Sequence, residues 1–338
     1  MVNRQFVLAE RPESSDGTPR MLRESDFRLV ETPVPPVREG EMLVRARYLS
    51  VDPYMRGRMS SARSYAPSVE IGQVMTGGAV AEVLESRHAG FRPGEIVNFQ
   101  MGWQEYAVSD GAGVRKVDPA LAPISTAVGI LGMPGLTAYF GVTEVCAVKA
   151  GDTFVVSGAA GAVGSAAGQI AKIRGARVVG IAGGPAKVAY LRGELGFDDA
   201  IDYKAVSDIA AAIRDACPNR VDAYFDNVGG PTTDAVVAHL NTFARIGICG
   251  QISLYNQPSA LGPRVYRHLL VARARMQGFL VWDFAAQQDR ALSDLAGWIA
   301  SGRLKYREDV IEGFEAMPKA LIGLFRGENI GKRVVRVA

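Results

Sequence analysis

Histidine and cysteine are scarce in this chain, three of each in 338 residues. His88, His239 and His268 lie far apart, and none shares a ligand-like spacing with Cys146, Cys217 or Cys249. Catalytic zinc takes three protein ligands, usually His, Cys or carboxylate, so no metal site is assigned and structural roles are expected for the histidines. The cysteines are odd in number and form no Cys-x-x-Cys pair, which argues against a disulfide framework and for a reducing compartment. A Gly-x-Ser-x-Gly nucleophile elbow is missing, and no Ser–His–Asp arrangement is visible. No apolar run is long enough to cross a bilayer, and Met1–Glu10 lacks the apolar core of a secretion signal; a cytoplasmic protein is the expectation. The net charge is only +3 and no cluster of Lys and Arg concentrates it, so neither nucleic acid nor a membrane is an expected partner.

Glycine, by contrast, is abundant at 38 residues, against a usual share of about 7%. Many backbone positions must therefore turn tightly or approach a neighbour closely. Hydrophobic residues at 48% and charged residues at 22% are ordinary for a globular chain, and the length points to two domains. Up to about residue 125 the chain reads as β-rich, with short apolar stretches at Glu41–Tyr48 and Ala79–Leu84. A Pro-Gly turn leads into a strand within Phe91–Asn98, and Trp103–Val108 is a further expected strand. From about residue 126 the pattern changes. Strands at Thr153–Ser157, Arg177–Ala182, Ala200–Tyr203, Val221–Asp226 and Ala244–Cys249 alternate with helices at Ala162–Arg174, Ala186–Leu195, Ser207–Ala216 and Thr232–Leu240. Arg275–Val281 is a candidate sixth strand. Such alternation implies a doubly wound parallel sheet with helices on both faces. After a helix at about Ala286–Ser301, Lys332–Val337 alternates polar and apolar residues as a strand does. A tail that returns to the first domain would leave a ligand cleft between the two.

The sharpest local feature is Ser157-Gly-Ala-Ala-Gly-Ala-Val-Gly-Ser165, between an expected strand and an expected helix. Gly158, Gly161 and Gly164 are spaced by three, which differs from the strict Gly-x-Gly-x-x-Gly fingerprint. In a strand–turn–helix setting, small residues let the backbone approach a pyrophosphate, and the helix N-terminus offers free N–H groups. Dinucleotide binding is the expected role, the alternative being close packing alone. Enzymes that use NAD usually place an acid about 20 residues after the glycine loop, bonded to the ribose 2′-OH. Here the region reads Ile181-Ala-Gly-Gly-Pro-Ala-Lys187, without an acid. That absence favours NADP; Lys187 either meets a 2′-phosphate or is a solvated helix lysine. Two further turns, Asp226-Asn-Val-Gly-Gly230 and Gly250-Gln-Ile-Ser-Leu-Tyr-Asn256, fall at strand C-termini, where ligands bind in such sheets. Tyr255 is either a donor to a polarised carbonyl oxygen or an amphipathic tyrosine at a domain edge. With no nucleophile or metal constellation, the chemistry falls to the cofactor.

Eight ordered landmarks resemble the zinc-independent medium-chain dehydrogenase/reductases, in the branch of prostaglandin reductase (leukotriene B4 12-hydroxydehydrogenase), plant alkenal double-bond reductases and bacterial curcumin-reductase-like enzymes. They are Ser50-Val-Asp-Pro-Tyr-Met-Arg-Gly-Arg58, Gly132-Met-Pro-Gly-Leu-Thr-Ala-Tyr139, Gly158-Ala-Ala-Gly-Ala-Val-Gly164 and Phe225-Asp-Asn-Val-Gly-Gly230. The others are Cys249-Gly-Gln-Ile-Ser-Leu-Tyr-Asn256, Arg275-Met-Gln-Gly-Phe279, Glu312-Gly-Phe-Glu-Ala-Met317 and Asn329-Ile-Gly-Lys332. The resemblance implies an α/β protein with a GroES-like β-rich catalytic domain (1–125 and 308–338) and a Rossmann NADP-binding domain (126–307), as a homodimer. It implies NADPH-dependent reduction of the carbon–carbon double bond of α,β-unsaturated ketones and aldehydes. Carried over residue by residue, Gly158, Ala160, Gly161, Ala162, Val163 and Gly164 form the cofactor loop. Lys187 and Tyr203 fall at the adenosine 2′-phosphate, Asn227 and Asn329 contact the cofactor, and Thr137 lies beside the nicotinamide. Tyr255 matches the tyrosine at the substrate oxygen, and Tyr54 and Met133 line the substrate pocket. Where many members carry Ser-Asp-Glu before the lysine, this chain has Gly184-Pro185-Ala186. Rival readings are a quinone reductase or secondary-alcohol dehydrogenase of the same superfamily, and an NADPH-binding protein without turnover.

Overall fold

The computed structural model describes residues 1–257 and 261–337. The chain forms two compact units, the first of Met1–Gly129 with Glu308–Ala338 and the second of Ile130–Arg307.

In the first unit, β1 (Val2–Leu8) and β2 (Phe27–Pro33) form an antiparallel pair. Next come β3 (Met42–Ser50), the short helix α1 (Tyr54–Arg58), β4 (Ala79–Ser86), β5 (Ile96–Phe99), β6 (Tyr106–Ser109) and β7 (Arg115–Val117). The expected strand at Trp103–Val108 is corrected by its first half. Gly102 turns the chain at φ +81°, and Trp103 and Gln104 join β1 instead, through the Trp103 carbonyl and a Gln5–Gln104 bridge. Trp103 is wholly buried, stacked on Phe27 at 5.2 Å and edge-on to Phe6 at 6.3 Å.

The second unit opens with α2 (Met133–Phe140) and then alternates as its sequence implies. It runs β8 (Thr153–Ser157), α3 (Ala162–Ile173), β9 (Arg177–Ala182), α4 (Pro185–Ala189), β10 (Asp199–Asp202), α5 (Ile209–Ala216), β11 (Val221–Asp226), α6 (Gly230–Val237) and β12 (Leu240–Ile248). It closes with α7 (Tyr266–Ala272), β13 (Arg275–Gly278) and α8 (Gln288–Ala300). The six strands pair in parallel in the order β10-β9-β8-β11-β12-β13. Every residue of β8 is buried, as is all of β9 after Arg177, because a parallel sheet is covered on both faces.

Three boundaries differ from expectation. The helix expected at Ala186–Leu195 passes from α4 into a wider π-type turn at Tyr190–Glu194. The helix expected at Thr232–Leu240 ends at Val237, and Leu240 already opens β12; His239 stands in the turn between them, its ring 2.9 Å from the Cys217 carbonyl. The strand expected at Arg275–Val281 stops at Gly278, because Asp283 accepts the Leu280 N–H and starts a 3-10 turn. The chain then returns to the first unit as β14 (Glu308–Glu312), α9 (Met317–Phe325) and β15 (Lys332–Arg336). There β15 lies parallel to β14 and antiparallel to β3, completing a seven-stranded sheet.

Glycines in this fold separate into two kinds. A Cβ added at Gly135 in α2 would sit 1.8 Å from the backbone oxygen of Ile130, whereas one at Gly297 in α8 meets nothing within 4 Å. We expect Gly297→Ala to raise stability by about 0.5–1 kcal/mol and Gly135→Ala to lower it by about 1–3 kcal/mol or more. Urea denaturation of both variants checks this, and equal effects would refute the distinction.

Candidate functional site

The C-terminal edge of the parallel sheet gathers the turns after β8, β9, β11 and β12. β8 ends at Ser157, and Gly158 follows with φ +60°. The Gly161 N–H returns to the Gly158 carbonyl at 3.0 Å, which closes the turn, and Gly161 caps α3 in an extended conformation. A Cβ at Gly164 would lie 2.3 Å from the Gly158 oxygen; only glycine lets the first turn of α3 press on the loop. A Cβ at Gly161 would meet only that same oxygen, at 3.3 Å. Ala160, Ala162 and Val163 complete the loop with small or β-branched side chains. The backbone here is therefore bare on its outer side, as a diphosphate group requires.

The neighbouring strand supplies the brace. The β8–β11 register sets Val156 opposite Phe225, so Ser157 and Asp226 end adjacent strands together. The Asp226 carboxylate is 2% exposed. Its Oδ1 accepts Ser157 Oγ at 3.1 Å, Tyr224 OH at 2.9 Å, and the N–H groups of Val228 and Gly229 at 3.0 and 2.9 Å. Its Oδ2 accepts Thr233 Oγ1 at 2.6 Å. Burial, with this carboxylate close by, pushes the Tyr224 phenol well above its ordinary range. Asn227 binds back to the glycine loop's strand. Its backbone N–H donates to Ser157 Oγ at 3.0 Å and its Nδ2 to the Ser157 carbonyl at 2.8 Å.

The loop carrying Tyr255 hangs from the same turn. Cys249 and Gly250 donate to the Asp226 carbonyl, Ile252 to that of Asn227, and Ser253 to that of Val228 through both N–H and hydroxyl. Within the loop, the Tyr255 hydroxyl oxygen accepts the Gln251 N–H at 3.3 Å.

Beyond β9 the Gly183-Gly184 turn is held from β10. Asp202 Oδ1 accepts the N–H groups of Gly184 and Lys204 at 2.8 and 3.0 Å, and these bonds hold its carboxyl below the ordinary range. A Cβ at Gly183 would meet the Tyr203 ring at 2.8 Å and Lys204 Cε at 2.9 Å, while one at Gly184 meets nothing within 4 Å. Tyr203 is half exposed beside this turn, and Lys187 follows in α4. Thr137, in α2, donates its hydroxyl to the Met133 carbonyl at 2.7 Å.

Tyr54 and Asn329 belong to the other unit. The buried Lys332 ammonium donates to Asp52 Oδ1 at 2.6 Å and to the Val51 carbonyl at 2.9 Å, and Ser50 bonds the second Asp52 oxygen. This pair ties the segment entering Tyr54 to the segment leaving Asn329, whose Nδ2 donates to the Gly331 carbonyl at 2.9 Å. Tyr54 OH donates to Gln100 at 3.3 Å, and burial, then Asp52, pushes that phenol up. The reading of the sequence assigned no role to Asp226, Asp202 or the Asp52–Lys332 pair. The one available signal was an acid closing a strand directly before a Gly-rich or aromatic turn.

Among the described residues no group of three or more His, Cys, Asp and Glu is placed to hold a metal ion. No helix among them is long and apolar enough to cross a membrane. Two family models match the chain, one described as the N-terminal domain of oxidoreductase over residues 4–117 and one as a zinc-binding dehydrogenase over residues 162–296. Prostaglandin reductase 1 of Rattus norvegicus is 45% identical over 93% of this chain and 94% of its own length. The chain belongs to the medium-chain dehydrogenase/reductases, in their zinc-independent branch. Other relatives of this reductase include the NADP(+)-dependent 2-alkenal reductase of Nicotiana tabacum, 42% identical over 94% of each chain. The crystal structure of CurA from Vibrio vulnificus in complex with NADPH matches with a TM-score of 0.93 at 45% identity, over 99% of both chains.

One carboxyl of the reductase's first unit is set up to report on pH. Glu308 accepts the Ser125 hydroxyl through Oε2 at 2.7 Å, while its buried Oε1 has no hydrogen-bond partner. Burial raises its pKa, opposed by Ser125 and Lys332. A carboxyl raised in the folded state contributes stability at acid pH that is lost as pH rises through the raised value. We expect Glu308→Gln to be more stable than the parent at neutral pH, with the difference shrinking toward pH 4. A difference in Tm that stays constant with pH would contradict this assignment.

Proposed function

We propose that the protein is an NADPH-dependent reductase of the carbon–carbon double bond of α,β-unsaturated ketones and aldehydes. The observation that carries this reading is the pinning of the Tyr255 loop to the Asn227–Gly230 turn, which also bonds the strand entering the glycine loop. A hydroxyl and a bare diphosphate cradle are thereby built on one frame. The relatives named as reductases, and the likeness to a chain holding NADPH, support the choice of cofactor.

The residues fit that cofactor. Gly158, Gly161 and Gly164, with Ala160, Ala162 and Val163, would hold the diphosphate, Asn227 would lie at the same edge, and Thr137 and Asn329 would serve the nicotinamide. Lys187 and Tyr203 would meet the 2′-phosphate at the turn where Asp202 is already committed to two backbone N–H groups. NADPH, when bound, supplies the hydride. The protein's part is to orient the enone, with Tyr54 and Met133 at its side, and to stabilise the negative charge that gathers on its carbonyl oxygen. The Tyr255 hydroxyl accepts the Gln251 N–H through its oxygen and, like any phenol, also carries one donor proton. Tyr255 would give that proton as a hydrogen bond to the enolate oxygen.

The test is consumption of NADPH and NADH by the purified protein with a short 2-alkenal, an aryl enone and a quinone in parallel. NADPH oxidation yielding the saturated carbonyl is expected, and Tyr255→Phe should lower kcat about 10²–10³-fold. Turnover of the quinone alone, or none, would overturn the reaction class. A Tyr255→Phe effect below about threefold would remove Tyr255 from the chemistry.

We further propose a homodimer built on the β13 edge. Among the described residues β13 pairs on one side only, with β12. Leu261, Tyr266, Leu270 and Val271, just before it in the chain, are 73–93% exposed. An open strand edge beside apolar surface is a liability that a second copy removes. Light scattering should give a dimer for the parent and a monomer for Leu270→Asp/Val271→Asp; a monomeric parent would refute it.

A further inference from the structure

The root of the glycine loop, the Asn227–Gly230 turn and the start of the Tyr255 loop are all bonded to one buried residue, Asp226. Asp226 Oδ1 takes four donors from three directions: Ser157 at the root of the glycine loop, Tyr224 on its own strand, and Val228 and Gly229 in the following turn. The Asp226 carbonyl takes the two N–H groups that start the Tyr255 loop. The turn that the carboxylate fixes then offers the carbonyls of Asn227 and Val228 to Ile252 and Ser253. A carboxylate buried in this way is costly to leave unsatisfied, and each donor it gains is charge-assisted. It therefore fixes the root of the glycine loop and the following turn directly, and the Tyr255 loop through that turn, where a side chain without an acceptor oxygen would leave each to its own preferences.

We infer that Asp226 is a positioning residue that couples cofactor affinity to the placement of Tyr255. This rests on the proposed use of NADPH and goes beyond it, because it assigns the linkage between the two halves of the site to one carboxylate. Ser157 carries the branch toward the glycine loop: its hydroxyl donates to Asp226 and accepts from Asn227. Loss of Ser157 should disturb the loop and spare Tyr255. Loss of the carboxylate should disturb both. In Asp226→Asn one oxygen remains to face the four donors, and the new amide can donate to Thr233, whose hydroxyl lies 3.1 Å from Tyr224 OH.

The experiment measures NADPH dissociation constants by fluorescence, kcat at saturating NADPH, and hydrogen exchange of the unliganded protein, for Asp226→Ala, Asp226→Asn and Ser157→Ala, with and without Tyr255→Phe. Asp226→Ala should weaken NADPH binding more than tenfold and lower kcat more than tenfold. It should also accelerate exchange at Val228, Gly229 and Ile252, and make the added cost of Tyr255→Phe much smaller than in the parent. Asp226→Asn should recover most of both losses. Ser157→Ala should weaken binding about tenfold with kcat within threefold, and it decides the branch if Asp226→Ala does not fold. Binding within twofold of the parent in Ser157→Ala, or full additivity of the Asp226→Ala and Tyr255→Phe effects on kcat, would overturn the inference. A parent protein that does not bind NADPH would overturn the functional reading beneath it, and the exchange data would separate the two failures.

Discussion

The second unit is held at its packing distance by side chains that are not there. A Cβ on Gly164 would collide with the Gly158 carbonyl at 2.3 Å, one on Gly168 with the Phe197 ring at 2.0 Å, and one on Gly141 with the Phe225 ring at 2.3 Å. Each contact brings a helix closer to a loop, a neighbouring ring or a strand than any other residue allows. The abundance of glycine is thus a packing constraint before it is a binding device. The two uses meet at the glycine loop, where the close approach of α3 also leaves the turn bare on its outer side.

Close packing of this kind makes the polar groups expensive. The inner strands of the sheet are largely buried on both faces, so an acid at the end of one must be satisfied or excluded. The chain answers this at each candidate segment with a carboxylate whose partners are mostly backbone N–H groups or fixed hydroxyls. Asp202 secures the turn after β9, and the Asp226 carboxylate secures the turns after β8 and β11, its backbone carbonyl the one after β12. In the first unit Asp52 uses an ammonium instead, because Lys332 reaches it from β15. Removing one partner of such a buried pair leaves the other uncompensated, at a cost of about 3–5 kcal/mol. These acids are therefore as much part of the site's geometry as the residues that would meet a ligand.

What the sequence made legible follows from the range of the interactions. Thr153–Ser157, Arg177–Ala182 and Val221–Asp226 are strands end to end as read, because a continuous apolar run bounded by Gly or polar residues has one good conformation in a parallel sheet. The end of α6 and the π-type turn after α4 were not legible: both depend on where the next element must be reached, which no local preference encodes. The strands β2 and β14 were not legible either, since their patterns mix exposed and half-buried residues. The glycine loop was visible as spacing. The role of Asp226 was not, because it requires the β8–β11 register, a relation between residues 69 apart in sequence.

That difference bears on how such a site changes without being lost. Residues proposed to meet a ligand directly, such as Lys187 or Tyr203, stand at a turn whose shape is set by Asp202, and their replacement leaves that brace in place. Gly184-Pro185-Ala186 illustrates this: Asp202 still holds the Gly184 N–H although the segment departs from the family's common Ser-Asp-Glu. Replacement of Asp226 offers less freedom, since its one oxygen serves Ser157, Tyr224 and the Val228–Gly229 turn at once. The tolerance of the outer residues and the constraint on the inner carboxylate are two consequences of one arrangement, in which the sheet supplies the frame, the buried acids fix the turns, and the turns present the chemistry.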